Sequence, residues 1–247
     1  MKVRRLDLYR ASLRLAEGFA HFGGQVTALE EVFVKLTTDE GPTGWGEVRG
    51  NMGYFSGEHP EGIVATIRDH LAPLVVGRPL REAAGVIERC HRAVVGNGAA
   101  KAAVDIALHD LAARAASAPL VRWLGGRRLP EVPGSECVFY GPPGAAADTA
   151  RRHVAAGFRI LKVRVGLEPF SRDLERVAAV REAVGDGVRL AVDANQAWSV
   201  KEAVRRVRAL EAFGIECVEQ PVAARDLTGM AEVAQALGVP VMADESL

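Results

Sequence analysis

Between Leu190 and Leu247 three short apolar runs each end directly in an acid: Leu190-Ala191-Val192 in Asp193, Cys217-Val218 in Glu219, and Val241-Met242-Ala243 in Asp244. The acids are 26 and 25 residues apart, about one strand-helix repeat of a parallel α/β fold. This spacing predicts one carboxylate at the end of each of three neighbouring strands, all on one rim. Three anionic oxygens on such a rim repel one another unless a hard divalent cation lies among them, and Mg²⁺ is the usual one. Asp193, Glu219 and Asp244 are therefore read as metal ligands.

The repeat extends on both sides. From Glu136 onward the pattern predicts strands at 137–140, 160–165, 190–194, 217–219 and 241–244. Helices fall between them, with Ser199 as one cap and Gly214 and Gly238 as stops. Regular alternation means a parallel sheet with right-handed crossovers and an active end where the strands finish. On Ile160-Leu161-Lys162-Val163-Arg164-Val165 the two-residue period puts Lys162 and Arg164 on one face and Leu161, Val163 and Val165 on the other. The apolar face should meet helices, which sends Lys162 and Arg164 inward, toward the acids. There a lysine close to a cation would have its pKa lowered toward the range of a base; the competing reading is a structural ion pair. Asn195 is placed either to bind substrate or to cap the turn after Asp193.

Before Gly125-Gly126-Arg127-Arg128 the rhythm differs. Strands are expected at 3–15, 29–36 and 43–48, the last two forming a hairpin, followed by amphipathic helices near 60–76, 80–95 and 99–116. Two Gly- and aromatic-containing loops are expected at 16–25, with Phe19 and Phe22, and at 50–57, with Tyr54 and Phe55; such rings either bind ligands or pack the hairpin. Asp105, His109 and Asp110 are read as pairing or capping groups of the third helix. The prolines at Pro130 and Pro133 then mark a boundary, giving an N-terminal α+β domain over 1–128 and a strand-helix domain over 129–247.

Composition excludes several classes. With 31 basic and 31 acidic residues there is no net charge to steer the chain to nucleic acid or an anionic membrane, so a small-molecule partner is expected. The start, MKVRRLDLYR, lacks the apolar run of a signal peptide. Three cysteines without metal-ligand spacing suit a reducing compartment, and the expected location is cytoplasmic. A nucleotide-binding module is disfavoured because Gly141-Pro142-Pro143-Gly144, which follows a strand, has two prolines that lack amide donors.

Taken together, Lys162-Val163-Arg164, Asp193-Ala194-Asn195, Glu219-Gln220-Pro221 and Asp244-Glu245-Ser246, with Gly44-Trp45-Gly46-Glu47, Ala102 to Leu111 and Leu124-Gly125-Gly126 ahead of them, resemble the mandelate racemase and muconate lactonizing enzyme branch of the enolase superfamily. The resemblance implies an α/β chain with an N-terminal α+β capping domain and a TIM-type (β/α)₇β barrel. It also implies Mg²⁺ on Asp193, Glu219 and Asp244, and removal of the proton next to a substrate carboxylate, the superfamily chemistry that tuned Lys or His bases serve. Lys162 and Arg164 are then the catalytic pair, with substrate contacts from Asn195, Glu245, Phe19, Phe22, Tyr54 and Phe55. The family pattern has a second lysine where Arg164 stands, and an arginine does not act as a base. That favours a one-base course, so the expectation is a lyase or isomerase that dehydrates or isomerises a small hydroxy or sugar acid. Cycloisomerisation and racemisation or epimerisation of amino acids or dipeptides are the alternatives. The sequence stops just past the fifth barrel strand, so it is expected to be a truncated barrel lacking the opposite-face base. The complete chain is expected to form a homo-oligomer, and an inactive, non-catalytic fragment is the remaining alternative.

Overall fold

A computed structural model of the chain describes residues 1–21, 24–50, 57–127 and 131–247, with the backbone alone for residues 16, 17, 19–21, 24 and 25. It divides into two compact units, Met1–Gly18 with Val26–Pro130, and Phe19–Gln25 with Glu131–Leu247.

In the first unit, β1 (Val3–His21), β2 (Gly24–Thr38) and β3 (Thr43–Arg49) form a sheet in that order. Strands β2 and β3 are the expected antiparallel hairpin, paired from Glu31 with Arg49 to Thr37 with Thr43. Alternation buries Val32, Val34 and Leu36 completely. Pro60–Thr66 (α1) continues through a wider turn at Ile67–Leu71 into Ala72–Val75 (α2), and Ala83–Ala93 (α3) and Gly98–Ala115 (α4) complete the helical layer. A short α5 (Leu120–Trp123) follows. The Gly44-Trp45-Gly46 segment sets the distance between sheet and α4. A Cβ on Gly46 would lie 2.0 Å from the Ala103 carbonyl oxygen, and one on Gly44 would lie 2.5 Å from that of Ala107. Only glycine permits this approach. On α4, Asp110 accepts from the Trp45 N–H at 2.9 Å and Asp105 pairs with His109 at 2.6 Å, the pairing roles expected of them.

The loop expected at 16–25 is corrected: strand continues to His21 and resumes at Gly24. Gly18, inside that stretch, is a close-approach position of the strand, where a Cβ would come within 3.0 Å of the Val26 carbonyl oxygen. Phe22, Tyr54 and Phe55 lie outside the described residues.

The second unit is the expected parallel sheet. Its strands β4 (Glu136–Val138), β5 (Ile160–Arg164), β6 (Arg189–Asp193), β7 (Ile215–Glu219) and β8 (Val241–Met242) lie side by side in chain order. The connecting helices are α6 (Pro143–Ala155), α7 (Phe170–Val184), α8 (Val200–Leu210) and α9 (Leu227–Ala236). Leu161, Val163, Leu190, Val192 and Val218 face these helices and are fully buried against Val177, Val180, Ala203, Val207 and Val233. Burial of this apolar face is the main force holding the layers together. Helix α8 begins at a complete capping box between Ser199 and Glu202, and Gly214 ends the following turn at φ +63°.

Candidate active site

The opposite face of the sheet carries the polar residues. Register brings Arg164 beside Asp193 and Asp193 beside Glu219, so the last residues of β5, β6 and β7 stand in a row. Lys162, one step down the same face, reaches across β6. Its Nζ lies 2.8 Å from both Glu219 carboxylate oxygens and 3.4 Å from Asp193 Oδ2. Arg164 Nη1 donates to Asp193 Oδ2 and to Asn195 Oδ1, and its guanidinium lies 5.9 Å from the centre of the Phe139 ring. Asn195, at φ +42°, donates its backbone N–H to Asp193 Oδ1 at 2.9 Å and its side-chain amide to Glu245 Oε1 at 3.2 Å. Asn195 thus joins the site and does not merely cap a turn.

Two anions and two cations balance in a nearly dry setting, with Asp193 fully buried and Glu219 4% exposed. Burial, with the Asp193 carboxylate beside it, pushes Glu219 up to about 7 against the pull of Lys162. Burial alone would lower Lys162. Its hydrogen bond to Glu219 and the charges of Asp193 and Glu219 outweigh that and raise it.

Asp244 is not level with the other two acids. Glu219 pairs with Met242, and β8 ends there, so Asp244 lies two residues beyond the row, exposed in a turn. The strand expected to run to Asp244 stops early because the ladder between β7 and β8 spans only two residue pairs. Asp244 nevertheless lines, with Lys162, Ala191, Cys217 and Glu219, a cavity of about 380 Å³ on the inner face. Among the described residues no three acidic, histidine or cysteine side chains enclose one point. The donor set still fits a hard cation: the Asp193 carboxylate stands beside that of Glu219 and raises it, and Asp244 borders the cavity that Glu219 lines.

Several groups at this end escaped the reading of the sequence. Asp173 and Arg176 of α7, both buried, pair with each other; Asp173 accepts from the Gly166 N–H at 2.6 Å and Arg176 donates to the Arg164 carbonyl at 2.9 Å. Tyr140 donates to the Val165 carbonyl at 2.9 Å, and burial pushes its phenol up to about 12. Backbone groups of three successive residues, Arg164, Val165 and Gly166, are thereby fixed at the end of β5. A charged pair one helical turn apart in α7 was the available signal, and it has the look of an ordinary surface pair.

Comparison with known proteins places this arrangement. Residues 21–125 match the N-terminal domain of mandelate racemase / muconate lactonizing enzyme, and residues 145–247 match the enolase C-terminal domain-like family. The chain belongs to the mandelate racemase and muconate lactonizing enzyme family of the enolase superfamily. It is 36% identical over 249 residues to L-Ala-D/L-Glu epimerase of Bacillus subtilis, covering 100% of this chain and 68% of that one. It is 34% identical over 237 residues to a chloromuconate cycloisomerase of Cupriavidus pinatubonensis, covering 95% and 63%. Among solved structures, dipeptide epimerase from Enterococcus faecalis complexed with Mg and the dipeptide L-Leu-L-Tyr superposes with a TM-score of 0.94 at 34% identity, covering 100% of this chain and 69% of that one. The fold is accordingly that of the superfamily's capping domain and TIM-type barrel. These relatives are epimerases and a cycloisomerase, which back the epimerase and cycloisomerase alternatives better than the dehydration or isomerisation expected first.

Proposed function

We propose that this chain carries the acid rim and one proton-transfer face of a Mg²⁺-dependent isomerase acting on a small carboxylate, of the dipeptide-epimerase kind. The observation that carries the reading is the row Arg164–Asp193–Glu219 in register at consecutive strand ends, with Lys162 joined to both acids. Asp193, Glu219 and Asp244 would hold Mg²⁺, which supplies positive charge where the substrate carboxylate gains negative charge as its α-proton leaves. Lys162 is the group on this face able to take or return that proton, because Arg164 stays protonated at any working pH. Arg164 instead fixes the Asp193 and Asn195 side chains and presents a permanent cation to an anionic substrate.

Inverting an α-carbon requires proton removal on one face and delivery on the other. The inner face of β4–β8 supplies one such group, so an epimerase needs a second from outside these strands. Arginine at 164 specifically favours a second reading, a cycloisomerase, which needs only one base. Phe19, Phe22, Tyr54 and Phe55 are proposed as substrate-selecting residues in either case.

Calorimetry of Mg²⁺ with the 247-residue chain and with Glu219→Gln, after both are shown to be folded, tests the metal site. Binding by the parent and its loss in the variant support it, whereas a folded parent that binds no Mg²⁺ overturns it. Incubating dipeptides or muconate-type acids in D₂O separates the two readings: α-deuterium incorporation with dipeptides supports the first, and lactone formation supports the second.

A further inference from the structure

Gln220 is completely buried, at φ +34°, and follows Glu219 directly. A glutamine amide offers two donor and two acceptor positions, and here all four are used. Nε2 donates to the Val222 carbonyl at 3.0 Å and to Ser246 Oγ at 2.8 Å. Oε1 accepts from the backbone N–H of Asp244 at 3.0 Å and of Ser246 at 3.2 Å. Ser246 Oγ passes the connection on to the Ala224 carbonyl at 2.8 Å. The Gln220 backbone also links both neighbouring strand ends, accepting from the Gln196 N–H at 2.8 Å and donating to the Met242 carbonyl at 2.9 Å.

The placement matters because the backbone ladder between β7 and β8 ends at Met242. Past that point the N–H groups of Asp244 and Ser246 meet the Gln220 side chain in place of a strand. We infer that Gln220 is a positioning residue: its amide ties the turn bearing Asp244 and Glu245 to the end of β7, and so sets where the third acid stands relative to Glu219. An apolar residue of the same volume could still occupy the place beside Met230, whose Sδ lies 3.9 Å from Nε2, but would leave the turn's amides without an anchor. A fully satisfied buried amide selects one arrangement of the chain where apolar contact tolerates several. The inference rests on the proposed metal site for its consequence, but not for the tether itself.

Two measurements on the full chain test it. Gln220→Met keeps the volume and removes the four hydrogen bonds; Val177→Ala, in the helix-facing core, is the control for general loss of stability. Amide exchange followed by NMR should show Asp244 and Ser246 exchanging about tenfold faster or more in Gln220→Met, the effect of losing about one net hydrogen bond. Both residues should keep their parental protection relative to the rest of the sheet in the control. Mg²⁺ titration should show binding weakened by about tenfold in Gln220→Met and within about twofold of the parent in Val177→Ala. A folded Gln220→Met with parental exchange at Asp244 and Ser246, or with parental Mg²⁺ affinity, overturns the inference. Should Gln220→Met not fold, Ser246→Ala removes one arm of the tether and must still speed exchange at Asp244; unchanged exchange there overturns it equally. A parent that binds no Mg²⁺ refutes the proposed metal site, and the exchange measurement then decides the tether alone.

Discussion

The buried pair on α7 gives the most quantitative prediction. In Arg176→Met the guanidinium that meets Asp173 is lost, together with its hydrogen bonds to the Arg164 carbonyl at 3.2 and 2.9 Å. Asp173 is fully buried, and removing one member of such a pair costs about 3–5 kcal/mol because the other is left uncompensated. The carboxylate can escape that cost by binding a proton. Burial already holds Asp173 above its ordinary 3.8, with the Gly166 N–H, Arg176 and Arg206 pulling the other way; without Arg176 it rises further. Protonating an acid of ordinary value 3.8 costs about 4 kcal/mol at pH 7 but only about 1.6 kcal/mol at pH 5. A carboxylate raised in the folded state contributes stability that is complete below 3.8 and is lost as pH rises through the folded value. The penalty of Arg176→Met should therefore grow with pH, from about 2.5 kcal/mol at pH 5 to about 5 at pH 7, including a pH-independent share of about 1 kcal/mol from the orphaned Arg164 carbonyl. Urea unfolding at both pH values measures it, and adding Asp173→Asn should flatten the dependence. A penalty equal at the two pH values, or below about 1 kcal/mol at pH 7, would refute the reasoning.

Three smaller predictions concern the same end of the sheet. Gly166→Ala should destabilise by about 2–3 kcal/mol in thermal unfolding, since the residue sits at φ +112° and a Cβ would lie 2.6 Å from that of Ala197. Tyr140→Phe should cost about 1 kcal/mol through the lost bond to the Val165 carbonyl. The parent's raised phenol adds stability that is complete below 10 and fades as pH climbs through about 12, so absorbance at alkaline pH should lose one late-titrating tyrosine in the variant. Ser199→Ala removes the capping box of α8 and should lower stability by about 1 kcal/mol, while Ser199→Asp should nearly restore it.

How far the sequence reveals this site depends on whether an interaction is local. The face shared by Lys162 and Arg164 follows from the two-residue period alone, and the buried Leu161 and Val163 confirm it. Asp193 and Glu219 are legible because each ends an apolar run whose length is set by the helices it packs against. Asp244 ends such a run too, yet it stands beyond the row because the β7–β8 ladder stops at Met242 and a side chain 24 residues earlier, Gln220, takes over. Nothing within a window around Asp244 encodes that. The loop expected at 16–25 failed for the same reason: Gly18 within it meets the Val26 carbonyl on the next strand, a contact that no local window shows. The charge state of Lys162 depends on acids 31 and 57 residues away.

The backbone bonds beyond the strand ends bear on what this rim can vary. Val165 N–H donates to the Asp193 carbonyl, Ala194 N–H to Glu219, Gln196 N–H to Gln220 and Gln220 N–H to Met242. Each loop is thus pinned to the next strand along, and the ladder continues one step past the sheet on the side where the acids stand. Side chains on such a frame move little, because displacing one acid means breaking a bond to its neighbour's loop. A rim built this way is suited to one step of chemistry on a carboxylate and poorly suited to adapting to different substrates. Discrimination between a dipeptide and a muconate-type acid should then reside outside these strand ends. Exchanging the segments at 16–25 and 50–57 for those of a cycloisomerase should change which acids bind while leaving Mg²⁺ affinity within about twofold, since uncoupled sites act additively. Loss of Mg²⁺ binding in a folded exchange variant would show that the rim and the segments proposed to select substrate are one unit after all.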